Sequence, residues 1–229
     1  MCTVTFFPLA NDEFVLTSNR DEMPERVTIP PAEYVYNEVK MTFPKDQLAG
    51  GTWIGYSERK RTLMLMNGGF ESHERKLTYR LSRGIIALEL LAAKSISKFL
   101  KKFDFQGIEP FTIILFDYKR GANLYQIVWD EVKIHLIELE LKPHIWSSTP
   151  LYDEDMRGLR EDWLNDFLAT HKEIKPADIW KFHETAGNGN AKVNLVMDRG
   201  FIHTKSTTQI TIKKKVAKMQ YLDRDSTNK

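Results

Sequence analysis

Residues 1–22 read MCTVTFFPLANDEFVLTSNRDE and contain the pattern of a complete β-hairpin. Thr3–Leu9 is rich in β-branched and aromatic residues, and Phe14–Thr17 resumes the same pattern after the turn signal Asn11-Asp12. The return strand then runs out into Ser18–Glu22, a segment that carries a guanidinium and two carboxylates. In a hairpin these charged groups lie beside the beginning of the first strand.

The first strand begins with Cys2, the only cysteine of the chain. A methionine before so small a residue is the kind that aminopeptidases usually remove, and a mature N-terminal cysteine would follow. Such a residue combines a thiol nucleophile with an α-amine of pKa ~8 that can serve as its base. Arg20 could hold a carboxylate bidentately, and Asp21 could orient the amine. Alternatively, Cys2 is a small buried hydrophobe and Asn19–Glu22 is a solvated strand exit.

Length and composition favour a single domain spanning residues 1–229. A net charge of +2 is too small to indicate nucleic acid or an acidic membrane surface as a partner. One cysteine excludes an internal disulfide and a cysteine-rich metal site, which fits a reducing compartment. The expected setting is therefore cytoplasmic, and the oligomeric state is not predicted.

Neither a membrane span nor a metal site is expected from the sequence. The longest apolar stretch, Gly84–Ala93, contains Glu89 and is too short to cross a bilayer. The N-terminus lacks the basic and long apolar regions of a signal peptide. The six histidines show no metal-pair spacing, so we expect no metal and no resident cofactor.

The remaining chain alternates between strand and helix patterns. We predict an extended surface loop over Met23–Pro31, a second hairpin from Gly50–Ser57 and Thr62–Met66, and one long helix within Tyr79–Phe103. An antiparallel meander of four strands follows: Phe111–Phe116, Leu124–Trp129, Lys133–Leu139 and Ile145–Ser148.

The C-terminal part is predicted to contain two helices followed by closing strands. The helices cover Glu154–Thr170 and Ala177–Thr185, the second opened by Pro176. The strands are Phe201-Ile202, Thr207–Ile212 and Val216–Leu222, and Asp223–Lys229 is expected to fray. Strands, then helices, then strands again indicate an α+β layered domain.

Asn67 is a further candidate because it ends an apolar strand and precedes Gly68-Gly69, where a ligand can approach the backbone closely. Its amide could donate to an oxyanion. Alternatively, Asn67-Gly68 is simply a turn.

Several motifs together resemble the NRDE family, also called the transport and Golgi organisation protein 2 family. In the N-terminal half they are Met-Cys at the start, Ser18–Glu22, Gly50–Gly55, the strand ending in Asn67, and Ser82-Arg83-Gly84. The C-terminal half resembles the family through Ser147–Pro150 and Thr204–Thr208. That family is similar to the cysteine-type N-terminal-nucleophile hydrolases, a group that includes penicillin V acylase and bile-salt hydrolase.

The resemblance implies a fold and a set of site residues. The fold would be a four-layer αββα sandwich of two antiparallel sheets. Cys2 would be the nucleophile, Asp21 the partner of its α-amine, Arg20 an electrostatic support and Asn67 an oxyanion donor. The residues expected to bind substrate are Asn19, Ser148 and Lys205.

Three positions depart from the pattern that the resemblance implies. Ser18 stands where the acylases carry an arginine, Ser148 where they carry an asparagine, and Lys205 where NRDE proteins tend to carry an arginine. A serine hydroxyl is shorter than an asparagine amide, and an ammonium cannot reproduce a bidentate guanidinium. Arg20 points to the same side of a strand as position 18, since the two differ by two.

Two functions follow from the resemblance. The first is a thiol hydrolase that acts on a linear amide or another acyl substrate. The second is a carrier or chaperone that keeps the fold and binds a small molecule, haem or a lipid, without cutting it. Both take a small-molecule ligand.

Overall fold

The computed structural model describes residues 2–225, which fold into two compact units. One unit comprises the chain up to Arg26 together with the chain from Lys142 onward, and the other comprises Val27–Leu141. The elements are, in order, β1 (Cys2–Leu9), β2 (Glu13–Glu22), β3 (Thr28–Tyr36), β4 (Val39–Asp46), β5 (Ile54–Ser57), β6 (Arg61–Asn67), α1 (Arg83–Ala92), α2 (Ile96–Lys102), β7 (Phe111–Asp117), β8 (Asn123–Trp129), β9 (Ile134–Leu139), β10 (His144–Ser147), α3 (Glu154–Thr170), α4 (Pro176–Thr185), β11 (His203–Lys213) and β12 (Val216–Asp223).

The first unit contains a five-stranded antiparallel sheet in the order β10-β1-β2-β11-β12. The predicted N-terminal hairpin is confirmed, with Asn11 and Asp12 in the left-handed conformation that a tight turn requires. Because β1 and β2 come from one end of the chain and β10–β12 from the other, this sheet forms only when both ends are brought together.

The two faces of this sheet differ in what covers them. One face, which we call the helix face, carries Phe7 and Val15 against apolar side chains of α3 and α4. The core on this side is formed by Phe7, Val15, Ile145, Leu164, Phe167, Ile179, Phe182 and Leu195. Side chains alternate along a strand, so Cys2 and Val4 lie on the opposite face, which we call the thiol face.

The second unit contains a seven-stranded antiparallel sheet in the order β3-β4-β5-β6-β7-β8-β9, with α1 against β5 and β6. Two of the glycine motifs meet here, where Thr52 N–H donates to Gly84 O at 3.2 Å. A Cβ atom on Gly51 would overlap the backbone of Gly84, so this close approach requires glycine. Both motifs therefore have a packing role.

The predicted loop Met23–Pro31 is wrong at its C-terminal end, because β3 begins at Thr28. Pro30 and Pro31 lie within this strand, where the register shifts between Ile29 and Ala32. An edge strand tolerates proline because one side of its backbone is not needed for pairing. No strand was predicted from the sequence over Val39–Asp46, the residues that form β4.

The single predicted helix within Tyr79–Phe103 is wrong, since two helices are present. Ala93 leaves the helical conformation, with φ −57° and ψ 133°. Ser95 then caps α2 by accepting a hydrogen bond from the Lys98 amide. The apolar period continues across the break, which is why the pattern gave one helix.

Two further predictions need correction. The fourth strand of the predicted meander, β10, pairs with β1 in the other sheet. Phe201-Ile202 is not a strand, and β11 begins at His203. Of the predicted frayed end, Arg224 and Asp225 are held by hydrogen bonds to Lys205 and residues 226–229 lie outside the described part.

The α+β class and two antiparallel sheets are confirmed, whereas the single domain over residues 1–229 stays a prediction. Within residues 2–225, the helices are all too short or too polar to cross a membrane.

Candidate active site

The β1–β2 register brings the predicted residues together around Cys2. Cys2 pairs directly with Arg20, and the Ser148 amide donates to Cys2 O at 3.0 Å from the other side. Asp21 follows Arg20 on the antiparallel strand, so it lies beside the N-terminal end of Cys2. The hairpin thus places a thiol, a guanidinium and a carboxylate at one end of the sheet.

Strand alternation divides these groups between the two faces. Cys2 and Arg20 are directly paired and share the thiol face, whereas Asn19 and Asp21 lie on the helix face. The backbone nitrogen of Cys2 lies in the strand between the faces. Asp21 is therefore placed to bind a group on that nitrogen, while the thiol lies on the opposite face.

Asp21 is fully buried, and each of its carboxylate oxygens accepts a short hydrogen bond. Tyr152 Oη donates to Oδ2 at 2.6 Å, and Thr204 Oγ1 donates to Oδ1 at 2.6 Å. Burial raises the pKa of Asp21 above its usual value, and these two bonds and the nearby Arg160 lower it only in part. The hydrogen bonds therefore favour the ionised form against the cost of burial.

Cys2 is a free cysteine with only 1% of its surface exposed. Burial raises the pKa of its thiol, and the negative charge of Asp21 adds to this effect. The Ser18 hydroxyl and the Arg20 guanidinium act in the opposite direction and lower the pKa. With a raised pKa the thiol is neutral at pH 7, so nucleophilic chemistry at Cys2 requires a base.

Arg20 is nearly buried on the thiol face, and its Nη2 lies 3.8 Å from Glu22 Oε2. Burial alone would raise the pKa of Glu22, but Arg20 and the Met23 amide hold it below its usual value. A positive and a negative charge therefore accompany the thiol.

Asn19 has hydrogen-bond partners on the helix face. Both amide hydrogens donate to backbone carbonyls, those of His183 and Leu195, each at 2.9 Å. Its Oδ1 accepts from Thr207 Oγ1 at 2.9 Å. This side chain joins β2 to α4, to β11 and to the loop that precedes β11.

Ser148 and Lys205 lie in the same unit but differ in their surroundings. The Ser148 hydroxyl is buried and has no hydrogen-bond partner among residues 2–225. Lys205 stands at the register shift of β11, and its Nζ donates to Pro24 O at 2.7 Å and to Asp225. Its ammonium is therefore already paired.

Asn67 ends β6 in the second unit, opposite Phe111. The following Gly68 adopts a left-handed φ of 86°, and its amide donates to Pro110 O at 3.0 Å. The backbone therefore bends at Gly68 while it stays bonded to the residue before β7, and the oxyanion role of Asn67 stays a prediction.

Sequence reasoning missed four buried side chains near Asp21 and Asn19. Tyr152 and Thr204 bind Asp21, Arg160 lies over the Tyr152 ring, and His183 Nε2 lies 2.8 Å from Thr5 Oγ1. Only Thr204 belonged to a quoted motif. Within residues 2–225 no group of three or more His, Cys, Asp or Glu side chains is arranged to hold a metal ion.

The architecture is shared with solved structures at very low sequence identity. A conjugated bile acid hydrolase variant from Clostridium perfringens is 8% identical with a TM-score of 0.57, covering 98% of this chain and 93% of that one. An N-acylethanolamine-hydrolyzing acid amidase ortholog from Caenorhabditis elegans is 11% identical with a TM-score of 0.60, covering 91% and 92%. Penicillin V acylase from Agrobacterium tumefaciens is 11% identical with a TM-score of 0.55, covering 98% and 86%.

These similarities define the class: the chain has the fold of the N-terminal-nucleophile hydrolases. The sequence profile described as Transport and Golgi organisation 2 matches residues 1–174. The chain belongs to this family, which confirms the resemblance drawn from the motifs. No curated protein sequence matches the chain significantly.

Proposed function

We propose that this protein is a cysteine N-terminal-nucleophile hydrolase that cleaves a linear amide or another acyl compound. The observation that carries the proposal is the arrangement at the start of β1. A buried carboxylate, Asp21, stands beside the N-terminal end of Cys2, while the thiol and Arg20 share the opposite face. Three proteins of the same fold are named a hydrolase, an amidase and an acylase, which supports an acyl substrate.

In the proposed mechanism, removal of Met1 frees the α-amine of Cys2, which Asp21 orients. The amine takes the thiol proton, and the sulfur attacks the acyl carbonyl carbon to form a C–S bond. Charge moves to the carbonyl oxygen, to which Asn67 donates. The C–N bond then breaks and the α-ammonium returns its proton to the leaving amine. Water attacks the thioester, the acid departs and the thiol is restored.

The other predicted residues receive proposed roles that follow their contacts. Arg20 supports the thiolate electrostatically from the same face. The Ser148 amide fixes the Cys2 carbonyl, and its hydroxyl is the proposed substrate contact. For Asn19 we propose a positioning role, since its amide hydrogens are used, and for Lys205 a contact at the edge of the site through its pairing with Asp225.

The proposed setting is a cytoplasmic protein with a small-molecule partner. The net charge of +2 and the single cysteine carry this part of the proposal. No nucleic-acid partner is proposed.

Turnover of a panel of acyl-aminocoumarin amides by protein purified without an N-terminal tag tests the hydrolase proposal. Cys2→Ala should abolish turnover, and Asn67→Ala should lower it by ~10² to 10³, the usual cost of an oxyanion donor. Asn123→Ala, a substitution at the start of β8, is the control and should leave turnover unchanged. Turnover that persists in Cys2→Ala would exclude Cys2 as the nucleophile.

A non-catalytic carrier of haem or a lipid is the alternative. It is favoured by the raised pKa of the buried Cys2 thiol and by the pairing of Lys205 with Asp225. If the protein is a carrier, haem addition should shift the Soret band, or a lipid should co-purify. The absence of both, together with turnover that depends on Cys2, would rule it out.

A further inference from the structure

Tyr152 connects the segment that carries Ser148 to the carboxylate beside Cys2. Its amide donates to Ser148 O at 3.1 Å, and its phenol reaches Asp21 Oδ2 at 2.6 Å. Its side chain is fully buried. An O–H···O⁻ bond of 2.5–2.7 Å is characteristic of a charge-assisted hydrogen bond.

Two guanidinium groups lie over the Tyr152 ring. Arg160 Cζ is 3.6 Å from the ring centroid, and Arg199 Cζ is 5.4 Å from it. Arg160 is 1% exposed on α3, where its Nη2 donates to Val193 O at 2.9 Å. In the described part of the chain its guanidinium forms no salt bridge with a carboxylate. The phenol therefore stands between a buried cation and a buried carboxylate.

We propose that Tyr152 is a positioning residue of the Cys2 site: held under Arg160, its hydroxyl keeps Asp21 ionised and aimed at the backbone nitrogen of Cys2. The inference rests on the proposed function, because the nitrogen gains a titrating amine only when Met1 is removed. A cation over an aromatic face withdraws electron density from the ring and makes the phenol a stronger donor.

The balance of charges around Asp21 explains why one hydroxyl matters. Burial opposes the ionised carboxylate and raises its pKa, and this effect is only partly offset by Thr204 from β11, Tyr152 from the segment before α3 and Arg160 from α3. The thiol of Cys2 and the guanidinium of Arg20 lie on the opposite face. Without the Tyr152 hydroxyl, Oδ2 loses its donor in a buried site, and the pKa of Asp21 rises further, which favours the neutral acid.

A neutral Asp21 could no longer stabilise a protonated α-amine by its charge, and it would be a weaker acceptor for the N–H of a neutral amine. The amine would then lose its fixed position beside the thiol. Tyr152 acts through Asp21 in this scheme and does not contact the substrate.

The test is a direct titration of Asp21 in Tyr152→Phe, which removes the hydroxyl and keeps the ring under Arg160. Side-chain carboxyl carbons are followed by NMR in protein labelled at aspartate, and the Asp21 signal is assigned from its loss in Asp21→Asn. The pKa of Asp21 should rise by about one unit or more, the typical effect of losing a bond to a buried carboxylate. An unchanged pKa would overturn the inference.

Tyr36→Phe is the matched control, since Tyr36 donates to the Glu89 carboxylate at 2.7 Å in the other unit. It should leave the pKa of Asp21 where it is, and an equal shift in this control would also overturn the inference. Should Tyr152→Phe not fold, 3-fluorotyrosine at position 152 replaces it. The stronger donor should lower the pKa of Asp21, and a rise or no change would contradict the proposal.

The titration needs no turnover, so it separates this inference from the hydrolase proposal. A shifted pKa in a protein that hydrolyses nothing would leave the positioning role intact and remove the hydrolase. Turnover that depends on Cys2, together with an Asp21 pKa that does not change in Tyr152→Phe, would support the hydrolase and overturn the positioning role.

Discussion

At the scale of single residues, the site is a product of strand alternation. A three-residue turn fixes which residue of β2 faces Cys2, so the meeting of Cys2, Arg20 and Asp21 could be predicted from the hairpin pattern. The donors to Asp21 could not be predicted in this way, because Tyr152 and Thr204 lie 131 and 183 residues from Asp21 in the chain. No local pattern encodes contacts over such separations.

His183 is a buried residue whose titration should be visible in the stability of the protein. It is fully buried, with its ring nitrogens near Thr5 and Asn19, and burial lowers its pKa from 6.5 to about 3. Below pH 6.5 the unfolded chain binds a proton that the native protein does not, so the free energy of unfolding should fall as the pH decreases from 6.5 towards 3. The slope from this group approaches ~1.4 kcal/mol per pH unit.

Urea unfolding at several pH values measures this slope. His183→Gln should lower stability at pH 7 yet show a shallower loss on acidification, while the exposed His171→Gln should keep the slope of the parent protein. Equal slopes in the parent protein and His183→Gln would contradict this explanation.

At the scale of elements, sequence patterns found most strands and helices but misjudged where some of them end. The apolar period that predicted one long helix continues through Ala93–Ser95, yet the backbone turns there and Ser95 caps a new helix. β3 was missed because its two prolines are typical of loops, and only its edge position makes them acceptable. Periodicity reports which side chains are buried and not whether the backbone stays continuous.

Adjacent residues of β11 provide a matched test of the two faces. Thr207 and Thr208 are both fully buried, but Thr207 Oγ1 bonds Asn19 at 2.9 Å and Arg224 at 3.0 Å, whereas the Thr208 hydroxyl has no partner among residues 2–225. Thr207→Val should lower the free energy of unfolding by ~1–3 kcal/mol, because it leaves buried partners unsatisfied. Thr208→Val should be neutral or stabilising.

Urea denaturation of the two variants and the parent protein decides this prediction. The two substitutions are identical in chemistry and lie on one strand, so each serves as the control of the other. Equal losses of stability in Thr207→Val and Thr208→Val would contradict the prediction, because the hydrogen bonds of Thr207 would then contribute nothing beyond what the Thr208 side chain contributes.

At the scale of the whole molecule, the arrangement of the chain follows from the first hairpin. β1 and β2 pair with β10 and β11, so the first unit encloses the second in the sequence. The α+β class could be predicted from the order of the elements, but the membership of each sheet could not. β10 follows β9 directly in the chain and still joins the other sheet, since pairing partners are chosen by packing over the whole chain.

The predicted single domain implies one cooperative unfolding transition for both units. Trp53 and Trp129 report on the second unit, and Trp146, Trp163 and Trp180 report on the first. In a variant that keeps only the tryptophans of one unit, fluorescence follows the unfolding of that unit. The two such variants should give the same urea midpoint. Two separate midpoints would show that the units are independent domains.

The measurement that tests the central claim most directly is the intact mass of untagged protein before and after native alkylation with iodoacetamide. If Cys2 is an N-terminal nucleophile, Met1 should be absent and Cys2 should be modified rapidly, despite the burial that raises its pKa. A protein that retains Met1, and whose thiol reacts only after unfolding, would contradict the hydrolase account and leave the fold as a binding scaffold.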